Sequence, residues 1–202
     1  MVNKKSRSLE YFLLLASGIL RNLKSKGIVN SYGLIGGLAV GSIGVPRATK
    51  NVDFIVSTDN IRTFYEEIEN LFNKKNIFVE LKNPEYGIFP YYAVICYEKR
   101  KDEKLRIIDI LIATERWQDE ISNDTIVINL ARKQIPIVKI EGLIVLKLKS
   151  GGGQDLLDVQ NILKLTGIEK LDHEKLRDWA KRAGIEKLLN RMLSQCMSEN
   201  IG

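Results

Sequence analysis

Two carboxylates stand where a purely structural role has no use for them. Asp53 is the one acid in the apolar run Val52 to Val56, and Asp109 is the one acid among Ile107, Ile108, Ile110, Leu111 and Ile112. A lone carboxylate taken out of water is costly unless it is paired or metal-bound. Alternate residues of a strand share a face, so Asn51, Asp53 and Ile55 point one way while Val52, Phe54 and Val56 point the other. Two such acids, each in the middle of a different apolar strand, suggest adjacent strands that present their oxygens to a shared cation. Magnesium suits them best, because it takes oxygen ligands and keeps substrate phosphates in its shell. The plain alternative is that each Asp pairs with one of the many Lys and Arg residues. For either acid alone the two readings weigh about equally, and the neighbouring glycines tip the balance toward the cation.

Those glycines, Gly36 and Gly37, lie where the strand "SYGLIG" passes into the short helix "GLAVGSIG". Such a junction aims free N–H groups and the helix dipole at an anion, and glycine lets a phosphate come close. Dinucleotide-binding motifs do not fit. Gly33, Gly36, Gly37 and Gly41 are not spaced as GxGxxG, and "KSGGGQD" lacks the GK[ST] of a P-loop. Gly151 to Gly153 read as a flexible connection between helices.

The elements around these residues follow from periodicity. Leu9, Phe12, Leu13, Ala16, Ile19, Leu20 and Leu23 recur at helical spacing, which predicts an amphipathic packing helix in place of a signal peptide. Pro46 is expected to end the short glycine helix, and "NVDFIVS" to be the second strand. A helix over 61–73 follows, then strands over 77–81, 91–98 and 105–113, with the charged run Lys99 to Lys104 as a hairpin connection. "TIVIN" and "QIPIVK" read as further extended pieces. From Glu141 onward the pattern is helical, over 141–149, 155–165, 172–183 and 184–197. The expected fold is α+β: a mixed β-sheet with helices packed on it and a helical C-terminal region. The expected division is an α/β core over 1–139 and a helical region over 140–202 packed on it.

Composition narrows the setting. The chain has 202 residues, 45% hydrophobic, enough for a real core, and a net charge of +6 that favours an anionic partner such as a nucleotide or RNA. Cys96 and Cys196 lie far apart and lone His173 has no second imidazole, so neither a zinc site nor a disulfide framework is expected, and a reducing cytoplasm is the default. No run reaches the length of a membrane span.

Taken together, "GGLAVGSIGVPRATKNVDFIV" resembles the signature of the nucleotidyltransferase superfamily that includes DNA polymerase beta, and the wording GGxA…GxxRxTxxxD is most similar to AbiEii-type toxins and related prokaryotic proteins. "IPIVKIEGLIVLKLKSGGGQDLLDVQNIL" is similar to the downstream element of that group, with Lys147 on a helix before a D-x-x-D pair, Asp155 and Asp158. The resemblance runs from about Tyr32 to Leu163. It implies a nucleotidyltransferase-like fold and a phosphate cradle at Gly36 and Gly37 with Arg47 and Thr49 beside it. One or two Mg²⁺ ions would sit on Asp53, Asp109 and Asn51, and Lys147 and Asp155 would lie at the nucleotide. Asp53, Asp109 and Lys147 would be catalytic, moving an NMP from an NTP to a hydroxyl of tRNA, another RNA or a protein. A toxin–antitoxin or phage-defence setting with a cognate antitoxin is also implied.

The chain departs from that pattern at two places. Asn51 stands where the family has an acid, and Gln154 where relatives often have a basic residue. A two-metal site needs negative charge to hold two divalent ions together, and Asn51 is neutral. The alternative expectation is therefore a catalytically weakened relative that binds nucleotide or RNA, or serves as a partner subunit.

Overall fold

The computed structural model describes residues 7–84, 91–100 and 103–199. Helix α1 (Leu9–Ser25) starts at Ser8, whose hydroxyl accepts from the Tyr11 N–H, and it buries Phe12, Leu13, Ala16, Leu20 and Leu23. The apolar spacing of the sequence is therefore the packed side of the helix. Next come β1 (Ser31–Ile35), α2 (Gly36–Ser42), β2 (Val52–Ser57), α3 (Ile61–Asn73), β3 (Ile77–Lys82), β4 (Ala93–Arg100) and β5 (Glu103–Ile112). The chain continues through α4 (Arg116–Asn123), β6 (Thr125–Leu130), β7 (Lys133–Val138), α5 (Ile140–Ser150), α6 (Gly153–Thr166), α7 (His173–Arg182) and α8 (Glu186–Glu199). These make the mixed α+β architecture expected, with the strands in one sheet ordered β3-β4-β5-β2-β1-β7-β6. Strand β2 runs parallel to β5 and antiparallel to β1, while β1 runs parallel to β7.

The two faces of the sheet differ in their cover. Val52, Phe54 and Val56 stand opposite Ile108, Ile110 and Ile112 in register, and all six are buried. Helix α1 contacts β2 and β5, and α3 contacts β3. The other face carries Asp53 and Asp109. At the β1 end it is covered by α4, since the Ser122 and Ser31 hydroxyls lie 2.5 Å apart and Ser31 shares its face with Ile35, which stands opposite Asp53. Over β3, β4 and β5 the acid-bearing face stays partly open, with Phe78 at 47% exposure.

Two local expectations are corrected and one element is new. Helix α4 lies in a stretch to which the sequence assigns no element, because only Trp117 and Ile121 mark its apolar side; Gln118 Oε1 starts it by accepting from the N–H groups of Thr114 and Glu115. Helix α2 ends at Ser42, before Pro46, as the chain turns at Gly44 with φ +98°. The charged run Lys99 to Lys104 is not only a connection: the strands extend into it, pairing Lys99 with Lys104, and residues 101–102 lie outside the described set.

Candidate active site

Strands β2 and β5 run side by side in parallel with Asp53 and Asp109 directly opposite each other. Asn51 bridges them: its amide nitrogen donates to Asp53 Oδ1 at 2.9 Å and to Asp109 Oδ2 at 2.5 Å. Arg106 Nε donates to Asp109 Oδ1 at 2.6 Å. Burial, together with the charge of Asp109 alongside, pushes the Asp53 carboxyl from an ordinary 3.8 up to about 7, against the opposing pull of Arg106 and Lys147. The molecule thus spends stability to hold two acids together, which marks a functional site more than a structural one.

Gly36 is pressed onto this pair. Its φ is +67°, and a Cβ placed there would lie 2.0 Å from Asp53 Oδ2. At Gly37 a Cβ would lie 2.8 Å from the Thr49 Cβ. Thr49 in turn donates to the Asn51 carbonyl at 3.1 Å, so it orders the turn leading into β2. The two glycines therefore do separate work: one admits the Asp53 carboxylate, the other admits the strand's lead-in. The tripeptide Gly151 to Gly153 proves to be a tight turn, with Gly151 in the left-handed region (φ +70°) closing α5 and Gly153 opening α6.

That turn folds α6 back beside α5 and sets up the second half of the site. Lys147 is only 6% exposed, and its ammonium lies 2.7 Å from both Asp155 Oδ1 and Asp158 Oδ2. Asp158, at 1% exposure, also receives Arg47 Nε at 3.1 Å and Gln154 Nε2 at 3.1 Å. One buried carboxylate therefore orients two cations from distant parts of the chain. Replacing Lys147 with Met is expected to lower stability by about 3 kcal/mol, since it breaks a buried pair from one side; thermal unfolding checks this.

Gly36, Gly37, Arg47, Thr49, Asn51, Asp53, Asp109, Lys147 and Asp155 all line one cavity of about 440 Å³. Sequence reasoning missed three further polar lining residues, Tyr91, Arg106 and Ser150. Arg106 was hidden by strand parity, which assigns it to the face of Ile108. Cys96 pairs with Ile108 but Tyr97 pairs with Arg106, so a bulge at Ile107 turns Arg106 onto the acid face. Burial pushes the Tyr91 phenol up to about 12, so it remains a neutral donor.

Asp53 and Asp109 are the two cavity-lining carboxylates placed side by side that could hold a divalent cation. No group of three or more His, Cys, Asp or Glu side chains able to hold a metal occurs among the described residues. Two carboxylates plus substrate phosphates are a usual complement for Mg²⁺. Asn51 presents its nitrogen to the acids, so it must turn its amide over before its oxygen can serve a cation.

No family model matches the sequence, and no curated protein matches it. Among solved structures, the chain is similar to the solution structure of the antibiotic-resistance factor ANT(2'')-Ia, at 14% identity over 89% of this chain and 97% of that one, with a TM-score of 0.52. It is also similar to the crystal structure of ANT(2'')-Ia in complex with adenylyl-2''-tobramycin, at 14% identity over 85% and 97%, with a TM-score of 0.50. An antigenic nucleotidyltransferase-like protein from Paracoccidioides brasiliensis aligns at 15% identity over 92% of both chains, with a TM-score of 0.49. The chain has the nucleotidyltransferase-like fold. No helix among the described residues is long and apolar enough to cross a membrane.

Proposed function

We propose that this chain is a magnesium-dependent nucleotidyltransferase, moving a nucleoside monophosphate from an NTP to a hydroxyl of tRNA, another RNA or a protein. The observation that supports this most is the in-register pairing of Asp53 and Asp109 beneath Gly36, in one cavity with Lys147 and Arg47. Asp53 and Asp109 would hold a magnesium ion, which when bound would supply Lewis acidity toward the phosphates. The backbone at Gly36 and Gly37 holds phosphate oxygens, with Arg47, Thr49 and Asp155 around them, and Lys147 neutralises the charge gathering on the departing group. Asp109 takes the acceptor's proton as the acceptor oxygen bonds to the α-phosphorus. The α-phosphorus bond to the bridging oxygen breaks, and pyrophosphate leaves. A toxin or phage-defence role with a cognate antitoxin is supported by the sequence resemblance alone.

Asn51 favours a second reading, a catalytically weakened protein that binds nucleotide or RNA or serves as a partner subunit. Incubating RNA with α-phosphate-labelled NTPs and Mg²⁺, with wild type beside Asn51→Asp, separates the two. The transferase reading expects label on RNA from the wild type, and at least ~10-fold faster transfer in Asn51→Asp as the third carboxylate strengthens cation binding. An inert wild type beside an active Asn51→Asp supports the weakened reading. If neither binds Mg·NTP, the nucleotide site itself is wrong and the transferase reading falls.

A further inference from the structure

The acid-bearing face does not stop at Asp109. Across β3, β4 and β5, Phe78, Tyr97 and Arg106 stand in register as one row, next to the row of Glu80, Ile95 and Asp109. Tyr97 lies one strand over and two residues along from Asp109, about 8 Å by strand geometry. The bulge at Ile107 is what brings Arg106 into this row. Phe78 is 47% exposed, although its neighbours Ile77 and Val79 are buried on the opposite face. The side chain of Lys104 is 62% exposed and lies 5.9 Å from the centre of the Tyr97 ring. Lys99, which pairs with Lys104, and Lys82 fall on the same face. The face thus carries four cations (Lys82, Lys99, Lys104 and Arg106) against Glu80 and Asp109, and Glu80 already pairs with Lys82 and Lys104.

We propose that this open face of β3, β4 and β5 binds the single-stranded end of an RNA, presenting its terminal hydroxyl at Asp109. This rests on the transferase reading and names its acceptor. Two aromatic rings in a row on an exposed sheet, fringed by Lys and Arg, supply what single-stranded nucleic acid needs: π-faces for successive bases and cations for the backbone. A polycationic acceptor meets the wrong sign of charge here. A flat protein epitope would leave the lysine ring around two aromatics without use.

The test uses the whole chain and a fluorescein-labelled single-stranded RNA of about ten nucleotides, within the range such sites cover. Anisotropy titrations at several salt concentrations compare wild type with Tyr97→Ala and with the double variant Lys99→Glu/Lys104→Glu, none of these three residues being among those that line the cavity. Tyr97→Ala is expected to weaken RNA binding by about 5- to 100-fold. The double variant is expected to weaken it and to flatten the salt dependence by about 1.4 in log–log slope. Both should bind Mg·NTP as wild type does. If Tyr97→Ala fails to fold, Tyr97→Phe, which keeps the ring, is expected to retain RNA binding while the exposed lysine variant loses it. RNA binding unchanged in these variants overturns the proposal, as does displacement of the RNA by polyglutamate as readily as by unlabelled RNA. A wild type that binds Mg·NTP but not RNA also overturns it. RNA binding that depends on Tyr97 in a protein unable to bind Mg·NTP upholds the platform and removes the transferase reading instead.

Discussion

Replacing Asp53 with Asn is expected to lower nucleotide transfer by about a thousandfold while making the metal-free protein more stable at neutral and higher pH. Loss of transfer follows from removing one of two carboxylates available to a single cation. The stability gain follows from linkage. In the folded protein the Asp53 carboxyl is raised to about 7 by burial and by Asp109, against an ordinary 3.8. A raised carboxyl contributes fully below its unfolded value and loses that contribution as pH climbs through its folded one. The wild type therefore weakens from about pH 4 up to about pH 7, while Asp53→Asn does not. Melting temperatures of the two proteins should converge near pH 4 and separate to a plateau above pH 7, by on the order of 2–4 °C for each kcal/mol recovered at this chain length. A higher melting point in an inactive variant is the mark of a carboxylate kept for function. Equal melting points at pH 8 would mean the pair is held without strain.

Gly36→Ala is expected to be the most damaging glycine substitution among the described residues. Two costs add at this one position. A left-handed backbone costs an L-residue roughly 1–2 kcal/mol, and forcing a methyl into packed atoms costs about 1–3 kcal/mol. The methyl would fall 2.0 Å from the Asp53 carboxylate oxygen and 2.6 Å from its Cγ, so Asp53 must swing away. Urea unfolding should show a lower midpoint with an unchanged slope, and Mg·NTP binding should disappear even where the protein remains folded. Gly41→Ala is the control: it sits in the same helix with nothing within 4 Å of its added Cβ, and there alanine should be neutral or slightly stabilising. Equal effects of the two substitutions would remove the close approach of Gly36 to Asp53 as the cause.

The parts of this site that could be read from the sequence are those with a local signal. Asp53 and Asp109 stand out because each interrupts an apolar strand, and Lys147 stands out because it sits on the apolar side of a helix. The helices follow their apolar spacing, as α1 and α3 do. What could not be read depends on pairing across long stretches of chain. The register that sets Asp53 opposite Asp109 joins strands more than fifty residues apart. Arg106 reaches Asp109 through a one-residue bulge that no parity rule anticipates. Asp158 looks like a helix-start acid in sequence, favoured there by the helix dipole, yet it is buried and holds both Lys147 and Arg47. Asn51 reads as a neutral substitute for an acid, and only the three-dimensional arrangement assigns it a task, donating one amide group to both carboxylates. Helix α4 was hidden for the opposite reason: its polar residues outnumber the two that anchor it, and its start is fixed by Gln118 reaching back to the N–H groups before it.

The most direct measurement is of bound cation. Mn²⁺ titrated into the protein with a non-hydrolysable NTP, and followed by the loss of the free-ion paramagnetic resonance signal, should show one tightly bound ion per chain. That ion should be lost in Asp53→Asn and again in Asp109→Asn. Nucleotide-dependent Mn²⁺ binding that survives both substitutions, or is absent from the wild type, would contradict a cation site on these two strands.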